Sequence, residues 1–240
     1  MLLLAFDTST PTARVAVVDA TGTVRARAEA TAARHSGNLL RLVDAALREA
    51  GGSVADLGGV ACGRGPGSFT GLRVGLAVAK GLGLARDLPL VTVSSLEALA
   101  LDLAAVARDA ALLVPCIDAG KGQIHVARFQ RSGAGVERAG PDELVAPELL
   151  GSHLDGVGAA VVGGPGAELH RAVLLRTLPA KATAAPSVRL VEVSGPSADA
   201  VARLALPRLQ SGDFDDLAAA VPAYGRAPDI TKPRKKGPPA

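Results

Sequence analysis

Apolar residues in this chain fall in short runs that stop abruptly at polar or glycine punctuation, the pattern of buried strands in an α/β fold. Leu2 to Phe6 ends at the turn Asp7-Thr8-Ser9-Thr10-Pro11, Ala13 to Val18 returns, and Gly22 precedes a third strand, Val24 to Ala30. The period then changes to that of a helix. Leu39, Leu40, Val43, Ala46, Leu47 and Ala50 predict a helix behind a Ser36 cap, ended by Gly51-Gly52. Strands follow at Leu57 to Cys62 and Leu90 to Val93, and a helix from Leu96 to about Val106 behind Ser94 or Ser95. Ala111 to Ile117 is again a buried strand that meets an aspartate, Asp118, then a tight Gly120-Lys121-Gly122 turn and a returning strand, Ile124 to Arg131. Beyond it the pattern predicts a strand from Val157 to Val162, a Gly163–Gly166 loop, and helices over Ala167 to Leu178 and Ala198 to Leu209. From Pro222 onward it is irregular. A strand, an aspartate, a turn and a returning strand thus occur twice, which points to a duplicated α/β unit.

The least ordinary stretch is Gly63-Arg64-Gly65-Pro66-Gly67-Ser68-Phe69-Thr70-Gly71-Leu72-Arg73. It opens a helix over Thr70 to Leu84 in which Gly71, Gly75, Ala79 and Gly83 recur every fourth residue on one face. Each interior glycine costs about 1 kcal/mol of helix propensity relative to alanine. What such a face gains is close approach of another backbone. Leu72, Val74, Leu76, Val78, Leu82 and Leu84 surround it, interrupted only by Arg73 and Lys80. A helix apolar all round is buried all round. An interior position in a large domain and a contact with a second chain both meet that demand, and we expect the second.

Composition narrows the classes. Across 240 residues, 48% hydrophobic and 20% charged content describes a globular chain able to bury a full core. The apolar start is too short for a leader and meets Asp7 at once, and no run is long enough to span a membrane, so a cytoplasmic location is expected. Cys62 and Cys116 sit inside apolar strands, as reduced core thiols do. The net charge of +3 is misleading: from Arg226 onward there are five basic residues and one acidic, which leaves the rest near −1. That Pro-rich tail is expected to be disordered, with at most weak, salt-dependent contact to phosphate. Four Phe, one Tyr and no Trp make a poor base-stacking surface.

The chemical motifs are mostly negative. Gly65, Gly67 and Gly71 miss the dinucleotide spacing by one residue, and the P-loop sequence is absent. Asp7, Thr8 and Ser9 after the first strand could hold a hydrated cation and phosphates, with Asp118 as the counterpart; a hydrogen-bonded turn explains the same residues. Actin-type phosphate loops place glycine at the Ser9 position. His35, His125, His153 and His170 lack metal-ligand spacing, and no Gly-x-Ser-x-Gly elbow surrounds Ser9, Ser36 or Ser68.

Taken together, Asp7-Thr8-Ser9, His35-Ser36 with Leu39-Leu40, the Gly65–Arg73 stretch with Gly75 and Ala79-Lys80-Gly81, Ser94 to Leu99, Asp118 with Lys121-Gly122, and Pro222 with Tyr224 and Arg226 resemble the TsaB (YeaZ) family. That family is the dimerization subunit of the bacterial machinery that makes tRNA N6-threonylcarbamoyladenosine. The match is close over roughly residues 1–130 and scattered beyond, with departures at Gly37-Asn38, Arg41, Gly120 and Gly225.

The resemblance implies an actin/Hsp70/sugar-kinase-like α/β fold of two related lobes, each a mixed sheet with flanking helices. Its expected divisions are an N-terminal lobe (1–108) carrying the partner-binding helices, a smaller second lobe (109–194), a C-terminal helix returning to the first lobe (195–225), and the basic tail (226–240). It implies a non-catalytic subunit with no metal or cofactor of its own. The partner would be a TsaD-type catalytic paralogue holding the metal and nucleotide, joined by a TsaE-type ATPase. tRNA would be reached only through the complex, and a homodimer is expected in isolation. The expected interface comprises His35, Ser36, Leu39, Leu40, Val43, Leu47, Phe69, Thr70, Gly71, Leu72, Arg73, Gly75, Leu76, Ala79 and Lys80. Asp7, Thr8, Ser9 and Asp118 are expected as vestigial nucleotide contacts. The competing reading is an actin-like ATPase or small-molecule kinase with its own nucleotide site.

Overall fold

The computed structural model describes residues 1–31, 35–154, 159–178 and 188–226, the side chains of residues 35–38 excepted. The Ser36 cap, the His35 side chain, the beginning of the strand expected from Val157 and the basic tail after Arg226 therefore lie outside the described residues.

The first lobe runs β1 (Leu2–Asp7), β2 (Thr12–Asp19), β3 (Val24–Thr31), α1 (His35–Glu49), β4 (Leu57–Gly63), α2 (Phe69–Arg86), β5 (Leu90–Val93) and α3 (Ser95–Val106). Its sheet has the order β3-β2-β1-β4-β5, an antiparallel meander joined to two parallel strands. The second lobe runs β6 (Leu112–Gly120), β7 (Gln123–Val126), β8 (Phe129–Ser132), β9 (Gly135–Arg138), β10 (Glu143–Val145), α4 (Leu150–His153), β11 (Ala160–Gly163), α5 (Pro165–Leu169), α6 (Arg171–Thr177) and β12 (Val188–Val191). Its main path, β10-β7-β6-β11-β12, repeats the first with the same strand directions. Two related mixed sheets with flanking helices are the actin/Hsp70/sugar-kinase-like architecture.

Two expected elements are divided. The strand read over Ile124 to Arg131 is β7 plus β8, because β7 pairs with Cys116–Gly120 whereas β8 drops to Leu112 and Leu113 and turns back with β9. The helix read over Ala167 to Leu178 breaks at His170, where φ is −106°, giving α5 and α6.

Helix ends follow local chemistry. The Ser68 hydroxyl accepts the Gly71 N–H at the start of α2, Ser94 accepts from Glu97 at α3, and Ser197 accepts from Ala200 at α7 (Ala198–Ser211). Gly212, at φ 77°, ends α7 in the left-handed conformation that glycine takes without strain.

The core has four parts. One lies between the first sheet and α1/α2, and a second between that sheet and α7. A third joins α3 to the second sheet, and a fourth lies under α4 to α6. α3 belongs to both lobes: Leu101 packs toward the first sheet, while Leu96, Leu99 and Leu103 pack on the second. α3 is thus apolar on two faces, with Glu97 and Asp102 as its only charged residues, because this chain covers both faces. α7 lies across the first sheet, with the Leu209 side chain filling the space above Gly59.

Behind α7, residues 213–226 form an irregular strap. Asp215 N donates to Leu90 O (2.8 Å), and its carboxylate accepts from Thr92 N and Oγ1 (2.5 and 2.9 Å). Leu217 then fills the space beside Gly83, Lys80 Nζ reaches Ala218 O (3.2 Å), and Ala223 N donates to Arg64 O (2.7 Å). The strap finishes against the second lobe, where Arg226 donates to Gln123 and Gly225 lies on the His125 ring.

Candidate functional site between the lobes and along two helices

Asp7 ends β1 beneath the glycine loop, fully buried. Its carboxylate accepts Ser9 N and Oγ (2.8 and 2.6 Å) and Ser95 Oγ (2.7 Å). A Cβ at Gly63 would sit 1.8 Å from Asp7 Oδ2, so that glycine is what lets the carboxylate fit there. Burial pushes the Asp7 pKa up, while the hydrogen bonds from Ser9 and Ser95 and the charge of Arg14 oppose this. The expected nucleotide contact is therefore an internal knot tying the β1–β2 turn to α3.

Thr8 and Ser9 are also engaged. Thr8 Oγ1 donates to Gly71 O (2.8 Å), and Ser9 O accepts Ser68 N (2.7 Å). A Cβ at Gly67 would lie 2.2 Å from Ser9 O, one at Gly71 2.0 Å from Thr8 O, and one at Gly75 2.3 Å from Thr8 Oγ1. The side-chain-poor ridge of α2 is thus covered by the chain's own β1–β2 turn. This corrects the expectation that a second polypeptide covers it. Gly71, Leu72, Gly75, Leu76 and Ala79 are buried inside the lobe, as are Leu39, Val43 and Leu47 of α1. Among the expected interface residues whose side chains are described, Leu40, Phe69, Thr70 and Arg73 are exposed and Lys80 is half-buried.

The outward side of α2 is nonetheless poor in charge, whereas α1 exposes Arg41, Asp44, Arg48 and Glu49 beside Leu40. Leu40 is 56% exposed, Phe69 45% and Leu84 74%, with Ala45, Ala77 and Gly81 exposed between them. Arg73 is drawn aside: its guanidinium lies 3.8 Å from the Phe69 ring centroid and donates to Tyr224 Oη (2.9 Å). Phe69 and Tyr224 themselves stack at 4.8 Å.

Asp118 has a different setting from Asp7. β11 reaches only to Pro115 (Gly163 pairs with it), so the β6–β7 hairpin projects beyond and carries Asp118 to the surface of a cleft between the lobes. That cleft, of about 760 Å³, is walled by Ser9 and Thr10, the glycine loop at Gly67–Phe69, Ile117–Gly120, His125 and the strap residues Tyr224 and Arg226. Asp118 Oδ1 accepts Gly120 N (3.2 Å) and lies 3.9 Å from His170 Nε2. Asp7 and Asp118 thus do not converge on one ligand position, since the first is sealed inside its lobe. Sequence pattern alone does not single out Ser95 for the turn or His125 for the cleft. A usable signal for His125 is its place between Ile124 and Val126 in a buried strand; for the second glycine loop it is the recurrence of Gly65-Pro66-Gly67 as Gly164-Pro165-Gly166.

The cysteines are core residues, with burial pushing both thiols up and out of reach of ordinary pH. No group of three His, Cys, Asp or Glu that could hold a metal occurs among the described residues. No helix among them is long and apolar enough to cross a membrane.

The family described as "TsaD: tRNA N6-adenosine threonylcarbamoyltransferase" matches residues 27–227. A curated Escherichia coli (strain K12) relative, "tRNA threonylcarbamoyladenosine biosynthesis protein TsaB", is 37% identical over 151 residues, or 62% of this chain. The chain belongs to this family, in its TsaB (YeaZ) branch. The aligned segment spans 64% of that relative's length. The likeness in structure runs further: "YeaZ from Pseudomonas aeruginosa" superposes with a TM-score of 0.78 at 27% identity, covering 93% of this chain and 99% of that one. Component A of (R)-2-hydroxyglutaryl-CoA dehydratase from Acidaminococcus fermentans, at TM-score 0.53 and 9% identity, covers 89% of this chain and 99% of its own and shares the fold. The TsaB resemblance and the two-lobed fold expected from it are thus established.

Proposed function

We propose that this chain is the non-catalytic dimerization and activator subunit of the complex that makes threonylcarbamoyladenosine at position 37 of tRNA. It binds a TsaD-type catalytic paralogue, which holds the metal and nucleotide and transfers the threonylcarbamoyl group. A TsaE-type ATPase joins the pair in the cytoplasm, and tRNA is met only through the complex. The names of the relatives supply the pathway; the observation that carries the subunit role is the charge-poor outer side of α2, with Phe69, Ala77 and Leu84 facing solvent beside Leu40 of α1. Exposed apolar surface of this kind seeks cover. In isolation the same surface is expected to pair with a second copy. Support for a non-catalytic role comes from Asp7, whose carboxylate is sealed by Ser9, Ser95 and Gly63 and so is turned away from the cleft.

The test uses exposed positions, so that folding and binding separate. Ala77→Arg and Leu40→Glu should leave the melting temperature unchanged, since surface substitutions stay within about 0.5 kcal/mol. Both should lose co-purification with the catalytic paralogue and lower threonylcarbamoyladenosine formation in the reconstituted complex. Undiminished complex formation by both variants would sink the proposal. The ATPase or kinase alternative has the cleft in its favour; calorimetry and turnover with ATP and Mg²⁺ on the isolated chain decide it.

A further inference from the structure

We infer that the cleft carries a binding site for a small oxyanion, a carboxylate or phosphate group, built from His125 of β7 and Arg226 of the strap. His125 is 4% exposed and lines the cleft. Its ring makes no hydrogen bond to any described residue, and its nitrogens are not sealed from solvent, so their hydrogen-bonding capacity is open toward the cleft. Its strand neighbours Ile124 and Val126 point to the opposite face of β7, into the core, which leaves His125 on the cleft side.

Arg226 supplies the charge. It reaches the same cleft from the end of the strap, and Gln123 Oε1 accepts from its guanidinium and orients it. The neighbouring Gly225 makes this approach feasible: a Cβ there would lie 2.6 Å from His125 Cε1 and 2.9 Å from Nδ1, and its φ of 64° suits glycine. Burial and the Arg226 charge lower the His125 pKa, while Asp118 and Asp142 act in the opposite sense. The imidazole is therefore neutral near pH 7, able to donate to an oxyanion while Arg226 neutralises it. Asp118, on the neighbouring strand of the same β6–β7 hairpin, favours a ligand that also carries a donor group over a bare anion. The site is independent of the α1/α2 surface and stands or falls without it.

The experiment follows the Cε1–H resonance of His125 in ¹³C-histidine-labelled full-length chain during titration with inorganic phosphate, acetate and ATP. His125→Gln assigns the signal, and His153, paired with Glu143 outside the cleft, serves as the internal control. A saturable shift of His125 below about 10 mM of at least one probe, with His153 still, is the expected result. Arg226→Gln should weaken that response at least about tenfold, the loss of one charge-assisted hydrogen bond. The ranking of acetate, phosphate and ATP then tells which oxyanion the site prefers. The inference is overturned if His125 shifts only together with His153, or if Arg226→Gln titrates like the parent chain.

Discussion

Replacing Gly75 by alanine sets two opposing effects against each other at one atom. Alanine in a helix interior is favoured over glycine by about 1 kcal/mol. The new methyl, however, would sit 2.3 Å from Thr8 Oγ1, a buried hydroxyl that donates to Gly71 O at 2.8 Å. Relieving that clash by rotating Thr8 breaks its hydrogen bond and strands polar atoms, at about 1–3 kcal/mol. Moving the helix instead overpacks the lobe, at about 1–3 kcal/mol. The net expectation is a loss of about 1–2 kcal/mol, or roughly 2–8 °C in a chain of this size. Gly81 is the control: it lies on the same helix, exposed, with nothing within 4 Å of where a methyl would stand, so Gly81→Ala should gain about 1 kcal/mol. Thr8→Ala removes the clashing hydroxyl, and in that background Gly75→Ala should turn from destabilising to stabilising. Urea unfolding of the four single and double variants measures all three signs. If Gly75→Ala stabilised as much as Gly81→Ala, the ridge would not rest on Thr8 and this packing of α2 would be wrong.

Other expectations follow from single groups. Burial raises the Asp102 pKa to about 6 against the usual 3.8, despite hydrogen bonds from Ser197 N and Oγ. A raised acid favours the folded state fully below the unfolded pKa and loses that advantage as pH rises through the folded one. Stability should therefore fall by up to about 3 kcal/mol between pH 4 and 6 through this group. Asp102→Asn should flatten that part of the profile in pH-dependent unfolding; an unaltered slope counts against it. Cys62 and Cys116 should react with a thiol reagent only after unfolding, and rapid labelling of the native chain would contradict their burial. Arg73→Ala removes the contacts to Phe69 and Tyr224, each worth about 1 kcal/mol or less. Limited proteolysis of that variant should show faster cleavage within 213–226 and unchanged global melting; equal cleavage rates would mean the strap is held elsewhere.

Much of this fold is legible from runs and punctuation. The duplicated strand–aspartate–turn, the helix after the glycine loop and the Ser94 cap lie where the pattern puts them, because burial and capping are local matters. The site is less legible, for a physical reason. A stripe of small residues says that something comes close, without saying what; here it is Thr8, more than sixty positions earlier in the chain. Helical spacing likewise selects the core sides of α1 and α2, so Leu39, Val43 and Leu47 stand out while the outward Ala45 of α1 and Ala77 of α2 do not. Strands β9, β10 and β12 and the strap have too few residues in a repeating pattern to announce themselves. Their positions are fixed by distant pairings, such as Asp215 with Thr92 and Glu143 with Val126.

The strap has a mechanical corollary. Its root is fastened to the edge of the first sheet at Asp215 and its far end to β7 at Gly225 and Arg226, with α2 held underneath at Lys80, Gly83 and Arg73. Spreading the two halves apart must first unzip that fastening, and anything that loosens it frees the end of α2 in the same movement. Events at the rim and events on the helix are in this way geared to one another through a dozen residues of otherwise shapeless backbone.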